Sequence, residues 1–355
     1  MRIAIVNDVV MAVEAMRRVV AGAPEHQLAW IARDGAEAVA QCAADTPDLV
    51  LMDLIMPNMD GVEATRRIMA SNPCPIVVVT ANVTNNTSKV FEALGAGALD
   101  AVNTPVLESP AQGQGADALL AKITTIRKLV GGTGARKPPT SHAANVRPFQ
   151  LDEELLVAVG ASAGGPAALA KVLADLPANF PAGVVIVQHV DVQFVQGLAD
   201  WLDFQSPIRV RLAREGDRPQ PGIALLAGGE HHLVFSGPGR LAYTQHPLDC
   251  SYRPSVDAFF KSASQFWPGD LIGVVLTGMG RDGAEGLLSL RRDGHHTIAQ
   301  DEASSAVFGM PKAAAALGAA SEILPLDKIG ARITHIVENQ VRANARRTHQ
   351  LQPES

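Results

Sequence analysis

Leu155 to Leu173 reads LLVAVGASAGGPAALAKVL: an apolar run, a serine flanked by glycines, then apolar residues at helical spacing. The small and β-branched run is a buried strand, the glycines mark a tight turn, and Pro166 stands where a first helical turn tolerates proline. Strand, turn and helix in this order form the repeating unit of a parallel α/β sheet. The unit recurs downstream. Val184–Val187 and Leu271–Leu276 read as further buried strands, Gly165–Leu176 as a helix, and Ile208–Tyr243, with short runs broken by Gly and Pro, as an antiparallel excursion. From Asp327 to Arg347, Ile and Val alternate with charge at helical spacing.

Upstream lies GGTGARKPPTSHAANVRPFQ, Gly131 to Gln150, which has the composition of a linker. Before it, Arg2–Val6, Leu49–Met52, Ile76–Val79 and Leu99–Val102 read as buried strands, with a weaker one at Leu28–Ala32. That predicts a flavodoxin-like unit on a five-stranded parallel sheet. Val9, Val13, Met16 and Val20 form one apolar helical stripe, and Asp34 with Glu37 has capping-box spacing. The expected organisation is a first domain over 1–125, a linker over 126–151 and a second, doubly wound and mostly parallel α/β domain over 152–345.

A length of 355 residues suits two such domains, and 47% hydrophobic with 19% charged residues supports packed cores rather than disorder. No apolar run approaches the ~18 residues of a membrane span, and MRIAIVND lacks the apolar core of a secretory signal. Cys42, Cys74 and Cys250 form no CxxC pair or even set, as expected in a reducing cytoplasm. A net charge of −6 gives no general attraction for nucleic acid. No repeat of solenoid length is present.

Two sites emerge at strand ends. Asp8 follows the first strand, Asp53 ends the third, Thr80 ends the fourth, and Thr104 with Pro105 follows the fifth; an open parallel sheet gathers such ends on one edge. Two converging carboxylates suit a hard cation such as Mg²⁺, and one beside a metal can accept a phosphoryl group. Simple capping of helices and loops explains the same two acids equally well. The segment LVLMDLIMPNMDG, Leu49 to Gly61, resembles the receiver domain of two-component response regulators. The resemblance implies phosphorylation of Asp53 by a histidine kinase, Mg²⁺ ligation by Asp8, Asp53 and the main-chain carbonyl of Ile55, and phosphoryl contact from Thr80. Two positions depart from it: the first strand ends in Asn7-Asp8 rather than paired acids, and Thr104 stands where a lysine is usual. The missing lysine removes a charge-assisted bond to the phosphoryl oxygen.

The second site is Gly160-Ala161-Ser162-Ala163-Gly164, a G-x-S-x-G between strand and helix, the context of a nucleophile elbow, of a phosphate cradle, or of a plain tight turn. A serine nucleophile needs a base, and of ten histidines only His189 directly follows a buried parallel strand. His231-His232 and His295-His296 read as exposed or loop residues, and His246 with Cys250 lacks the two further ligands of a zinc site. Asp282, at the tip of LIGVVLTGMGRDG, is the orienting acid, the N-cap of the following AEGLLSLRR helix, or both. Arg253, Ser255 and Asp257 shape a substrate groove or simply open a capped helix. The order Ser, His, Asp departs from that of α/β-hydrolases.

Together GASAGGP, VVIVQHV, SYRPSVDAFF, LTGMGRDGAEGL and AQDEASSAVFGMP resemble the catalytic domain of chemotaxis protein-glutamate methylesterases, the CheB family. The receiver variants look most like the Wsp-type surface-sensing branch. The resemblance implies hydrolysis of glutamate methyl esters on a methyl-accepting receptor, with Ser162 as nucleophile, His189 as base, Asp282 as orienting acid and the Met279 main-chain N–H as oxyanion donor; elbow geometry adds the Ala163 N–H. The same machinery can deamidate receptor glutamines more slowly. The hydrolase stage needs no metal, so Mg²⁺ belongs to the receiver. Rival readings are a non-enzymatic phosphorylation-dependent adaptor that only binds receptors, and a receiver with a DNA-binding output; the intact serine, histidine and aspartate set and the negative charge count against them.

Overall fold

The apolar runs of the N-terminal part become β1 (Arg2–Val6), β2 (Gln27–Ala32), β3 (Leu49–Met52), β4 (Ile76–Thr80) and β5 (Asp100–Asn103) in a computed structural model. It describes residues 1–80, 83–105, 114–130, 155–250 and 252–350, so the stretch read as a linker lies outside the described residues. The strands are all parallel in the order β2-β1-β3-β4-β5, with β3 to β5 in register as neighbours. Reversal of direction between β1 and β3 opens a crevice at their C-terminal ends, where Asp8 and Asp53 lie. Asp34 caps the helix Gly35–Ala44: its carboxylate accepts the Glu37 N–H at 2.8 Å, and Glu37 accepts the Arg33 N–H at 2.7 Å. Val13, Met16 and Val20 are buried on the helix Val10–Ala21, but Val9 is exposed because it caps that helix instead of belonging to it. The helix Gln114–Val130 runs past residue 125, the domain end expected from sequence. The chain separates into two compact units, Met1–Ala135 and Arg136–Ser355.

In the second unit, β6 (Leu156–Ala161), β7 (Gly183–Gln188), β8 (Arg209–Leu212), β9 (Ile223–Leu226), β12 (Leu271–Val275), β13 (His296–Gln300) and β14 (Glu322–Leu324) form one sheet. Its order is β14-β13-β12-β6-β7-β9-β8 and every pairing is parallel. The antiparallel excursion is therefore narrower than Ile208–Tyr243: β8 and β9 join the main sheet, and only β10 (His232–Gly237) and β11 (Arg240–Thr244) pair antiparallel. The short runs of β8 and β9 are too brief for their sequence to reveal pairing direction, which the intervening loop sets.

The β10–β11 hairpin packs on the helix Val256–Phe266 through aromatic rings. Phe235 lies 5.8 Å from Phe259 and 5.5 Å from Trp267, centroid to centroid. Burying each such side chain contributes on the order of 1.5–3 kcal/mol, which fixes the helix whose first turn meets the site described next. The tail is helical from Leu326 to Gln350, with Ile329, Ile333 and Val337 buried four residues apart, and it packs on the helix Gly165–Ala174. No described helix is long and apolar enough to cross a membrane.

Candidate functional site

β6 sits between β7 and β12, so the residues that follow these three strands share one sheet edge. Ser162 follows β6, and its N–H extends the ladder to the Thr277 carbonyl at 3.0 Å; His189 follows β7, its N–H on the Ala161 carbonyl at 3.0 Å. Ser162 is buried and turns sharply into the helix Gly165–Ala174 through Gly164, whose φ of 75° is the left-handed conformation that favours glycine. The third strand end comes close only because Gly278 has no side chain: a Cβ there would lie 2.8 Å from the Ser162 Cβ. Main-chain N–H groups of Ala163 and Met279 find no partner among the described residues. Open donors beside a buried serine are what an oxyanion requires.

His189 Nε2 lies 2.8 Å from Asp282 Oδ2, with both side chains about nine-tenths buried. The other ring nitrogen, Nδ1, is buried without a hydrogen-bond partner among the described residues, so no bond to Ser162 is made in this state. Such bonds are often long before substrate binds. The Asp282 carboxylate is saturated: Oδ1 accepts the Ser255 hydroxyl at 2.8 Å and the Asp257 N–H at 3.0 Å, while Oδ2 accepts the Val256 N–H at 2.7 Å besides His189. Burial pushes this carboxyl upward, but the hydrogen bond and charge of His189, with the N–H groups of Asp257 and Val256, outweigh it and hold it below the ordinary Asp range.

Asp282 is thus a cap, though of a different helix from the one its sequence position indicates. The helix Ala284–Arg292 begins at Gly283 with no side-chain cap, whereas Asp282 receives the first two N–H groups of Val256–Phe266. The exchange is reciprocal, since Asp257 Oδ1 accepts the Gly286 N–H of Ala284–Arg292 at 2.6 Å. Ser255 is the N-cap proper, accepting the Ala258 N–H at 3.2 Å. Of the three residues considered for a substrate groove, Ser255 and Asp257 are therefore a capped helix start, and only Arg253 is exposed.

Two histidines read as exposed or loop residues are neither. His232 opens β10 fully buried; its Nδ1 accepts the Ser255 N–H at 3.0 Å, which leaves Nε2–H to donate to the Pro247 carbonyl at 3.0 Å. His296 opens β13 and lies 2.7 Å from Glu322, which Arg332 clasps with Nε and Nη2. Gln188 was also missed: buried at the end of β7, its Nε2 donates to the Ser162 and His189 carbonyls, both at 2.9 Å. An amide closing the otherwise apolar run GVVIVQ is the signal that could have found it.

At the edge of the first sheet, Asp8 is exposed and Asp53 half-buried, with the Leu54 N–H on Asp53 Oδ1 at 2.7 Å. Burial, with the charge of Asp8 adding to it, pushes the Asp53 carboxyl up to about 6. A carboxylate raised by burial and by a neighbouring acid is a site short of positive charge, and a hard divalent cation fits it. Asn7 is buried and engaged with the Val9 N–H at 2.8 Å, a structural task. Thr80 is buried, Ile55 exposed, and Thr104 continues the ladder with its N–H on the Thr80 carbonyl at 3.0 Å. Among the described residues no three His, Cys, Asp or Glu cluster as a metal site.

Residues 157–333 match the family model described as CheB methylesterase, and residues 3–110 match the response regulator receiver domain. The chain is 58% identical to protein-glutamate methylesterase/protein-glutamine glutaminase 1 of Burkholderia lata, over 94% of this chain and 98% of that one. It is 54% identical to protein-glutamate methylesterase/protein-glutamine glutaminase 3 of Pseudomonas aeruginosa, over 95% and 100%. Among solved structures it is similar to the Thermotoga maritima CheB methylesterase catalytic domain, with 34% identity, a TM-score of 0.49, and coverage of 52% of this chain and 100% of that one.

Proposed function

The chain belongs to the CheB methylesterase family, with a response regulator receiver ahead of the catalytic unit, and from that premise we propose that it hydrolyses glutamate methyl esters through Ser162. One observation carries the reading: three adjacent strand ends put Ser162, His189 and Asp282 on one edge, with His189 2.8 Å from a saturated Asp282 carboxylate. A binding-only adaptor has no use for a carboxylate that fixes one imidazole nitrogen while the other stays open beside a serine.

In the proposed mechanism Ser162 Oγ attacks the ester carbonyl carbon as its proton passes to His189 Nδ1. The oxyanion is held by the Met279 and Ala163 N–H groups. Collapse breaks the acyl–oxygen bond, and methoxide leaves with the proton from His189 as methanol. Water, deprotonated at the same nitrogen, then splits the acyl-serine to give glutamate and free Ser162. Asp282 accepts from Nε2–H throughout, so the imidazole keeps the tautomer with Nδ1 open. A glutamine amide runs through the same acyl intermediate with a poorer leaving group, which makes deamidation the slower side activity.

Receiver control is the second half of the proposal. A histidine kinase is the phosphodonor for Asp53, and the substrate is the helical part of a methyl-accepting receptor met in the cytoplasm, without nucleic acid or membrane insertion. Asp8, Asp53 and the Ile55 carbonyl would hold Mg²⁺, which when bound neutralises the crowded carboxylates and phosphoryl oxygens. Thr80 and Thr104 border the phosphoryl position. The receiver is assigned to 1–125 together with the rest of the helix ending at Val130, and the catalytic domain to 152–345. Methanol release from a methylated receptor fragment, by the native chain against Ser162→Ala, tests the function; equal release by both would reject it.

A further inference from the structure

The base of this site is held on a side that the three-residue arrangement leaves open. Tyr252 lies flat on the His189 ring, with centroids 4.3 Å apart and planes 6° from parallel. The turn between Met279 and Asp282 passes close to the tyrosine's far edge and leaves it room: a Cβ on Gly280 would lie 3.3 Å from its hydroxyl. Three residues on, Ser255 anchors the same segment to Asp282 by its hydroxyl at 2.8 Å and to buried His232 by its N–H at 3.0 Å. The acid that orients the imidazole edge therefore also positions the ring that covers its face.

We propose that Tyr252 is a positioning residue for the reaction proposed above: its face fixes the plane of His189 so that Nδ1 meets Ser162 while Nε2 keeps Asp282, and it stabilises the imidazolium formed on proton transfer. The physical basis is the negative π face of a phenol ring, which attracts a cation stacked on it and is more effective where water is excluded. Once Nδ1 holds the serine proton, the positive charge is spread over a ring that lies face-on to Tyr252. Burial, and then the charge of Asp282, push the Tyr252 phenol above its ordinary value, so the ring stays neutral at neutral pH. The other charged groups near His189 are accounted for. Asp282 meets its edge, Asp257 is bonded to Gly286, Arg281 lies 3.5 Å from Glu285, Arg253 donates to the Leu248 carbonyl, and Asp191 caps its own turn. His232 is committed on both nitrogens. None of these occupies the ring face.

The test uses the full chain and methanol release from a methylated receptor fragment, with kcat, KM and the pH dependence of kcat/KM for the native protein, Tyr252→Phe and Tyr252→Leu. Phe keeps the face and is expected within about threefold of native, with the acidic limb unmoved. Leu is expected to lose about tenfold in kcat with little change in KM, and to move the acidic limb to lower pH by about half a unit, because the imidazolium loses its support. Should the Leu chain not fold, Tyr252→Met, flexible and apolar, is measured in its place. An unchanged Leu chain, a kcat loss with an unmoved limb, or a Phe chain as impaired as Leu each overturns the proposal. An inactive native chain overturns instead the methylesterase reading on which it rests.

Discussion

Asp282→Asn removes a charge and replaces one acceptor oxygen with an NH₂ donor, and the surroundings fix what that costs. Both carboxylate oxygens already receive a main-chain N–H, from Asp257 at 3.0 Å and from Val256 at 2.7 Å. The Ser255 hydroxyl can rotate from donor to acceptor; a main-chain N–H cannot. Wherever the new NH₂ settles, one buried N–H is orphaned, at about 1–3 kcal/mol. Loss of the negative charge at the start of Val256–Phe266 adds about 0.5–1 kcal/mol. For a unit of roughly 200 residues each kcal/mol is worth about 2–4 °C, so the transition of the catalytic unit should fall by roughly 3–16 °C at neutral pH. Ser162→Ala is the matched control and should leave it unchanged, since the Ser162 hydroxyl caps nothing. Because the Asp282 carboxyl is held below its ordinary value, its contribution is present above about pH 4 and fades as pH falls through the folded value, so native and Asp282→Asn chains should converge in acid. Scanning calorimetry from neutral pH down to about 3 measures both effects. An Asp282→Asn transition within about 2 °C of native at pH 7 would refute the capping argument.

Two further outcomes follow from the same geometry. Gln188→Leu removes the amide that ties the Ser162 and His189 carbonyls together, and should lower kcat by about 10- to 100-fold with a smaller change in KM; an unchanged kcat would show that the strand ends hold their spacing unaided. Asp53→Asn should abolish the response of ester hydrolysis to a small-molecule phosphodonor, whereas the native response should be modest, near the lower end of ~1–3 kcal/mol of coupling, because Thr104 supplies no fixed charge. A native-like response in Asp53→Asn would move control away from that residue.

Strand identity in both units was legible because buried parallel strands are nearly unbroken apolar runs, and the residue after each such run lies on the functional edge by topology. That logic reaches Ser162, His189, Asp8 and Asp53 directly. What stayed hidden depends on tertiary contacts with no local pattern. The cap that Asp282 supplies belongs to a helix more than twenty residues away in sequence, and a capping rule that looks only downstream assigns it to the wrong helix. His232 and His296 looked like turn residues because adjacent polar pairs interrupt periodicity, yet each is the first residue of a strand that turns one histidine inward. Tyr252 carries no signal at all: it precedes a helix start, and only the fold lays it on His189.

The central claim is that a covalent bond forms at Ser162 and is made possible by His189. Rapid acid quench of the chain with methylated receptor peptide, followed by mass measurement of the segment containing Gly160 to Lys171, tests it most directly. The expected result is a peptide-sized adduct on Ser162 that accumulates and decays with methanol release, and is absent from Ser162→Ala and His189→Ala. Methanol release that continues in Ser162→Ala, with no adduct on the native segment, would contradict it.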